Sequence, residues 1–125
     1  LLAITGATLG QISLNEIPCC ANQSVVGVIG NKLISSEYVY QWMNNTIQKL
    51  ISVQTGGAQQ HINKGNVNEA SILLPKEPSM IQYNHIVKVI FDLIALKCFE
   101  NDNLSNLRDV LLPKLLSGEI SVASD

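Results

Sequence analysis

The chain carries no catalytic signature. It has no GxSxG nucleophile elbow, no GxxxxGK[ST] phosphate loop, no GxGxxG following a strand and no HExxH pair, which removes the enzyme classes those motifs announce. The acidic residues fall mostly in the C-terminal third at the spacing of a solvated face, so paired carboxylates for acid–base work are not suggested either. Cysteine is scarce: Cys19 and Cys20 are adjacent and Cys98 is distant, an odd count that gives no disulfide framework. There is no CxxC, and His61 and His85 lack any HxxxH spacing, so no zinc ligand set exists. We expect a non-enzyme with no cofactor, no metal and incidental thiols.

Long apolar runs are missing as well. No stretch approaches the ~20 residues needed to cross a bilayer, and no basic-then-apolar segment opens the chain as a signal peptide would, so a cytoplasmic protein without a membrane role is expected. Charged residues are only 14% of the 125, with a net charge of −2, which argues against a general nucleic-acid clamp. The charge is uneven, however. Up to Lys76, four lysines stand against three glutamates; beyond it, four basic residues face seven acidic ones. If nucleic acid is bound, the first part binds it.

What is present is apolar, at 46%, in a chain long enough for one modest core. It opens Leu1-Leu2 without Met, and we expect it to be a piece of something longer. "LLAITGATLGQISL" places two apolar runs around a Gly and Thr turn, the pattern of two short strands joined by Thr5 to Gly10. "SVVGVI", Ser24 to Ile29, is apolar at nearly every position, as in a strand covered on both faces. From Ser36 the period changes, and Val39, Trp42, Met43, Thr46, Ile47, Leu50 and Ile51 mark one face of a helix, capped by Ser35 or Ser36 and ended by Gly56-Gly57. "ASILLP", Ala70 to Pro75, has the look of a short buried strand.

A second helix is predicted after Pro78, with Ser79 as N-cap and Gln82 at the capping-box position. No further Pro or Gly occurs before Pro113, so one helix from Ser79 to Leu112 would be about 50 Å long at about 1.5 Å per residue. In a heptad, Tyr83, Ile90, Lys97, Leu104 and Leu111 occupy a, and Ile86, Leu93, Glu100, Leu107 and Lys114 occupy d. The seam is apolar toward each end and polar in the middle. Its leucines, Leu104, Leu107, Leu111 and Leu115, imply a partner helix. A helical hairpin broken at "ENDNLSN", Glu100 to Asn106, is the alternative; the absence of Gly or Pro favours the continuous rod. The fold class expected is α+β: a small, partial β-rich globule with one packed helix, then a long coiled-coil-type helix, divided at 1–78 and 79–125.

Between the first helix and Ala70 lies "TGGAQQHINKG", rich in amides. A Gln or Asn side chain can donate to adenine N7 and accept from its N6 amine, discriminating bases by about 1 to 3 kcal/mol. Lys64 and free backbone amides suit phosphate oxygens. Such a stretch is equally the composition of a plain solvated connection.

Taken together, "TGATLGQISL", "CCANQSVVGVI", "TGGAQQHINKGNVNEASILLP" and above all "LSNLRDVLLPKLLSGEISV" resemble the specificity subunit of bacterial type I restriction-modification systems. The resemblance runs from near Ala3 to Val122. It implies the closing part of a target recognition domain, which reads half of a bipartite double-stranded DNA site, followed by a spacer helix that pairs antiparallel with another. Methyltransferase and restriction subunits would be the partners and would carry the chemistry, the specificity subunit itself being non-catalytic. Carried over by position, Thr5, Thr8, Gln59, Gln60, His61, Asn63 and Lys64 are the DNA-facing candidates. Ile86, Ile90, Leu93, Leu104, Leu107, Leu111 and Leu115 are the helix-pairing ones, toward another copy or a second half of the subunit. The resemblance also implies recognition-domain residues before Leu1. Where family members open the spacer helix with a Glu-Gln pair, this chain has "KEPSMIQYN". A competing expectation is a helix-mediated self-association module that does not touch DNA.

Overall fold

The computed structural model describes residues 1–53 and 62–121. It is α+β and mostly helical. Strand β1 (Leu2–Ala3) pairs antiparallel with β2 (Val25–Val26), Leu2 opposite Val26 and Ala3 opposite Val25. On its other side β1 meets the returning chain: Leu2 bridges Ile12, Ala3 N–H donates to the Gln11 carbonyl at 2.9 Å, and Gly10 N–H donates to the Ala3 carbonyl at 2.9 Å. The first of the two expected short strands is therefore present, while the second is reduced to the bridging residue Ile12; a 3-10 turn at Gly6–Thr8 lies between them.

Helix α1 (Ser36–Val53) lies on this small sheet. Its first free amides are served as predicted, since Ser35 Oγ accepts from Tyr38 N–H at 3.2 Å. The predicted face is the buried one: Val39, Met43 and Ile47 join Leu2, Ile4, Val26, Ile62 and Val67 in one core, and Trp42, Leu50 and Ile51 pack partly buried around it. Burying side chains of this kind contributes roughly 1.5 to 3 kcal/mol each, so this cluster is the main source of the fold's stability.

Three expectations need correction. The strand predicted at Ser24 to Ile29 shrinks to Val25–Val26, and Ile29 is 88% exposed, because β1 offers a partner for two residues only. Ala70 to Pro75 forms no strand and is not buried at its centre: Leu73 is 83% exposed. That segment is tied down instead by Tyr38, whose hydroxyl donates to the Leu73 carbonyl at 2.7 Å. Between them the chain forms an unanticipated short helix, α2 (Lys64–Glu69).

Helix α3 spans Glu77–Leu116, 40 residues without a break at Glu100 to Asn106, so the continuous rod is the correct reading. Both of its ends overrun the predicted ones. Pro78 sits in the first turn, where a missing N–H costs nothing, and the Lys76 carbonyl accepts from Ser79 and Met80. Pro113 lies inside the last turn, where the Asp109 carbonyl that loses its partner is at an exposed residue. The closing carbonyls of Pro113, Lys114 and Leu115 accept from Ser117, Ile120 and Gly118.

The contacts divide the chain into two units, Leu1–Lys88 and Val89–Asp125. In the first, Met80 is buried and the Tyr83 ring meets Tyr38 edge-on at 5.3 Å between centroids. In the second, the described residues are nearly all exposed, including Leu93, Leu104 and Leu107 at 55%, 56% and 53%. Among the described residues no helix is long and apolar enough to cross a membrane, no group of metal-ligating side chains assembles, and the three cysteines are free and exposed.

Candidate nucleic-acid interface

Two segments singled out in the sequence, some sixty positions apart, are brought side by side. Ile62 N–H donates to the Ile4 carbonyl at 3.0 Å, which joins the backbones from which the two segments leave. Both isoleucines are core residues, Ile62 at 1% exposure, so the junction is anchored from beneath. Thr5 leaves it half-buried and extended, and Thr8 closes the 3-10 turn fully exposed. Asn63 and Lys64 are exposed on the other side of the junction. Gln59, Gln60 and His61 lie outside the described residues.

The "TGATLG" turn owes its glycines to geometry. Gly10 has φ +82°, a region that side chains rarely adopt, and a Cβ there would stand 2.7 Å from the Ile51 Cδ1 of α1. The turn therefore packs directly on α1, which holds Thr5 and Thr8 at a fixed place on the core.

Asn63 has a role that sequence reading did not assign. It is the N-cap of α2: its Oδ1 accepts from Asn66 N–H at 2.8 Å, while Asn66 Oδ1 accepts from Asn63 N–H at 3.0 Å. This is a reciprocal capping box, visible in hindsight as Asn-x-x-Asn. The bond commits one acceptor of the Asn63 amide to the backbone and leaves Lys64 as the first residue of the helix. Asn63→Ala is expected to lower the stability of the first unit by about 1 kcal/mol, with a smaller loss for Asn63→Asp, which keeps the capping oxygen. Urea midpoints of the two variants check this.

Other features of the first unit have different chemistry. A cleft of about 440 Å³ lies between α1 and the segments around Ile12 and Val28, lined by apolar side chains with Glu16 and Glu37 and no Lys or Arg. With two carboxylates and no Lys or Arg among its lining side chains, it disfavours phosphate. Beside it, burial first, then Tyr38 and Glu37, raise the Tyr83 phenol above its ordinary pKa, so it stays protonated well into the alkaline range. The Tyr83 hydroxyl and Asn84 Oδ1 are shielded with no partner among the described residues.

The pairing candidates on α3 are all open to solvent or half open. Ile86, Ile90, Leu93, Leu104, Leu107 and Leu115 are exposed and Leu111 is half-buried. Lys97 and Glu100, in the middle of the seam, pair along the helix at 2.6 Å with both side chains more than half exposed.

The model of the type I restriction modification DNA specificity domain family matches residues 1–107. The chain belongs to that family. Among curated proteins, this specificity-domain chain is similar to the type I restriction enzyme HindI specificity subunit of Haemophilus influenzae, 29% identical over 117 residues, covering 91% of this chain and 26% of that protein. It is also similar to the type I restriction enzyme MjaIX specificity subunit of Methanocaldococcus jannaschii, 21% identical over 123 residues, 94% of this chain and 28% of that protein. The chain thus spans about a quarter of the length of these relatives. No solved structure matches it. The family match reaches through the globule and most of α3, so a DNA specificity domain includes both the Thr5 and Asn63 segments and the exposed helix.

Proposed function

We propose that this chain is the closing part of a DNA target recognition domain, with α3 as its spacer helix, in a type I restriction-modification assembly. It reads part of a bipartite double-stranded DNA site in the cytoplasm and performs no chemistry itself. Methylation and cleavage belong to the methyltransferase and restriction subunits that the specificity subunit positions. The observation that supports this reading is the hydrogen bond from Ile62 to Ile4, which ties the chain entering Asn63 and Lys64 to the chain entering the Thr5–Thr8 turn on one buried footing. Polar groups from distant parts of the chain then converge on one edge, as base reading requires. Lys64 supplies phosphate affinity at that edge, and α3 pairs through its exposed seam with another helix.

In the intact subunit with its methyltransferase partner, Gln59→Ala and Gln60→Ala are each expected to reduce discrimination between the cognate site and a single-base variant by about 1 to 3 kcal/mol, roughly 5- to 150-fold. Competition binding at fixed salt measures this. Unchanged discrimination removes the two glutamines from the interface. The exposed leucines of α3 favour a second reading, a self-association module that leaves DNA alone. A salt-dependent mobility shift of the same complex with duplex DNA decides against it.

A further inference from the structure

We infer that two copies of this chain pair through α3 in one antiparallel register, in which Lys97 of each copy meets Glu100 of the other. This rests on the reading of α3 as a pairing helix and adds what selects its alignment. The seam is exposed on both sides of its polar centre, with Ile90 and Leu93 at 51% and 55% exposure before it and Leu104 and Leu107 at 56% and 53% after it. The flanking residues are apolar and the centre is a cation three residues before an anion.

That arrangement is self-complementary in one way only. In a parallel pair, a faces a and d faces d, so Lys97 would oppose Lys97 and Glu100 would oppose Glu100. In an antiparallel pair, a faces d. The register that sets Lys97 against Glu100 also sets Ile86, Ile90 and Leu93 against Leu111, Leu107 and Leu104, so these three apolar layers meet apolar layers and the two central charges are matched; the outermost layer sets Tyr83 against Lys114, near the helix end. A shift of one heptad in one direction places Lys97 on Leu107 and Glu100 on Leu104. A shift in the other places Glu100 on Ile90 and Lys97 on Leu93. Either slip buries at least two charges against hydrocarbon on each helix. The favoured register overlaps α3 along nearly its full length. The ion pair now made along one helix at 2.6 Å is exposed, so exchanging it for the intermolecular pair costs little.

The test is sedimentation equilibrium of the 125-residue chain and three variants, with helix content followed by circular dichroism. The wild type is expected to dimerise. Lys97→Glu alone and Glu100→Lys alone each set like charges together in the proposed register and should weaken the dimer by at least about tenfold. The double variant Lys97→Glu with Glu100→Lys restores the match and should recover wild-type association. Because it carries both substitutions, recovery also excludes a folding defect as the cause of the single-variant losses. A parallel pair would repel equally in the wild type and the double variant, and the single variants would not weaken it. Single variants as tight as wild type, or a double variant that stays weak, overturn the register while the pairing reading stands. A monomeric wild type overturns self-pairing itself, and none of these results bears on the glutamine test of DNA recognition.

Discussion

Gly30→Ala is expected to destabilise the first unit by roughly 3 kcal/mol or more. Gly30 lies where the chain doubles back into α1, and a Cβ there would stand 2.7 Å from the Ile34 carbonyl oxygen, 2.7 Å from the Ser36 nitrogen and 2.8 Å from the Ser35 carbonyl carbon. All three are backbone atoms, so no side chain can swing aside. Relief requires opening the turn that Asn31 holds by accepting from Leu33 and Ile34, or moving the first residues of α1 and the Ser35 cap with them. Either route disturbs Val39, the first buried residue of that helix. Gly27→Ala is the control. It lies three residues earlier, with nothing within 4 Å of its added methyl, and should change stability by no more than about 0.5 kcal/mol. Urea unfolding of the pair reads the difference, and equal midpoints would overturn the steric role given to Gly30.

Ile62→Ala is the second large effect, with an expected loss of about 2 to 5 kcal/mol. Ile62 is 1% exposed and belongs to the same core as Ile4, Met43 and Ile47. Truncation leaves a hole under the point where the Thr5 and Asn63 segments meet, while its backbone bond to Ile4 needs no side chain. Ile62→Val removes one methylene and should cost only about 0.5 to 1.5 kcal/mol. If Ile62 anchors the reading edge, the alanine variant in the intact complex loses DNA discrimination in step with stability, and the valine variant retains both. Denaturant midpoints alongside competition binding measure the two together. An alanine variant of full stability would mean that the junction is held by its hydrogen bond alone.

The parts of the fold legible in the sequence are those whose cause is local. The α1 face was visible because Val39, Met43 and Ile47 recur at helical spacing, and its start because Ser35 sits where a hydroxyl can reach the Tyr38 amide. The continuity of α3 followed from the absence of Gly and Pro between Pro78 and Pro113. What misled was decided by tertiary context. Ile72, Leu73 and Leu74 have the composition of a buried strand but find no neighbouring strand among the described residues, and the Tyr38 hydroxyl bonds the Leu73 carbonyl instead. Pro113 looked like a terminus, yet the turn around it tolerates one missing donor at its exposed end. Of the candidate site, the chemistry of Thr5, Thr8 and Lys64 could be read from residue type, but their shared footing on Ile4 and Ile62 could not, because nothing local links positions so far apart. Asn63 was noticed for its amide and turns out to spend part of it on Asn66.

The uncovered seam of α3 also bears on how the protein must be supplied. If α3 pairs as proposed, a polypeptide that leaves Leu93, Leu104 and Leu107 in water is stickiest when it outnumbers the helix that covers it, and its yield in solution is expected to track the stoichiometry of synthesis. Under the same proposal, surplus copies are expected to become clients for holdases and proteases, and matched dosage of the pairing helix to keep the pool intact.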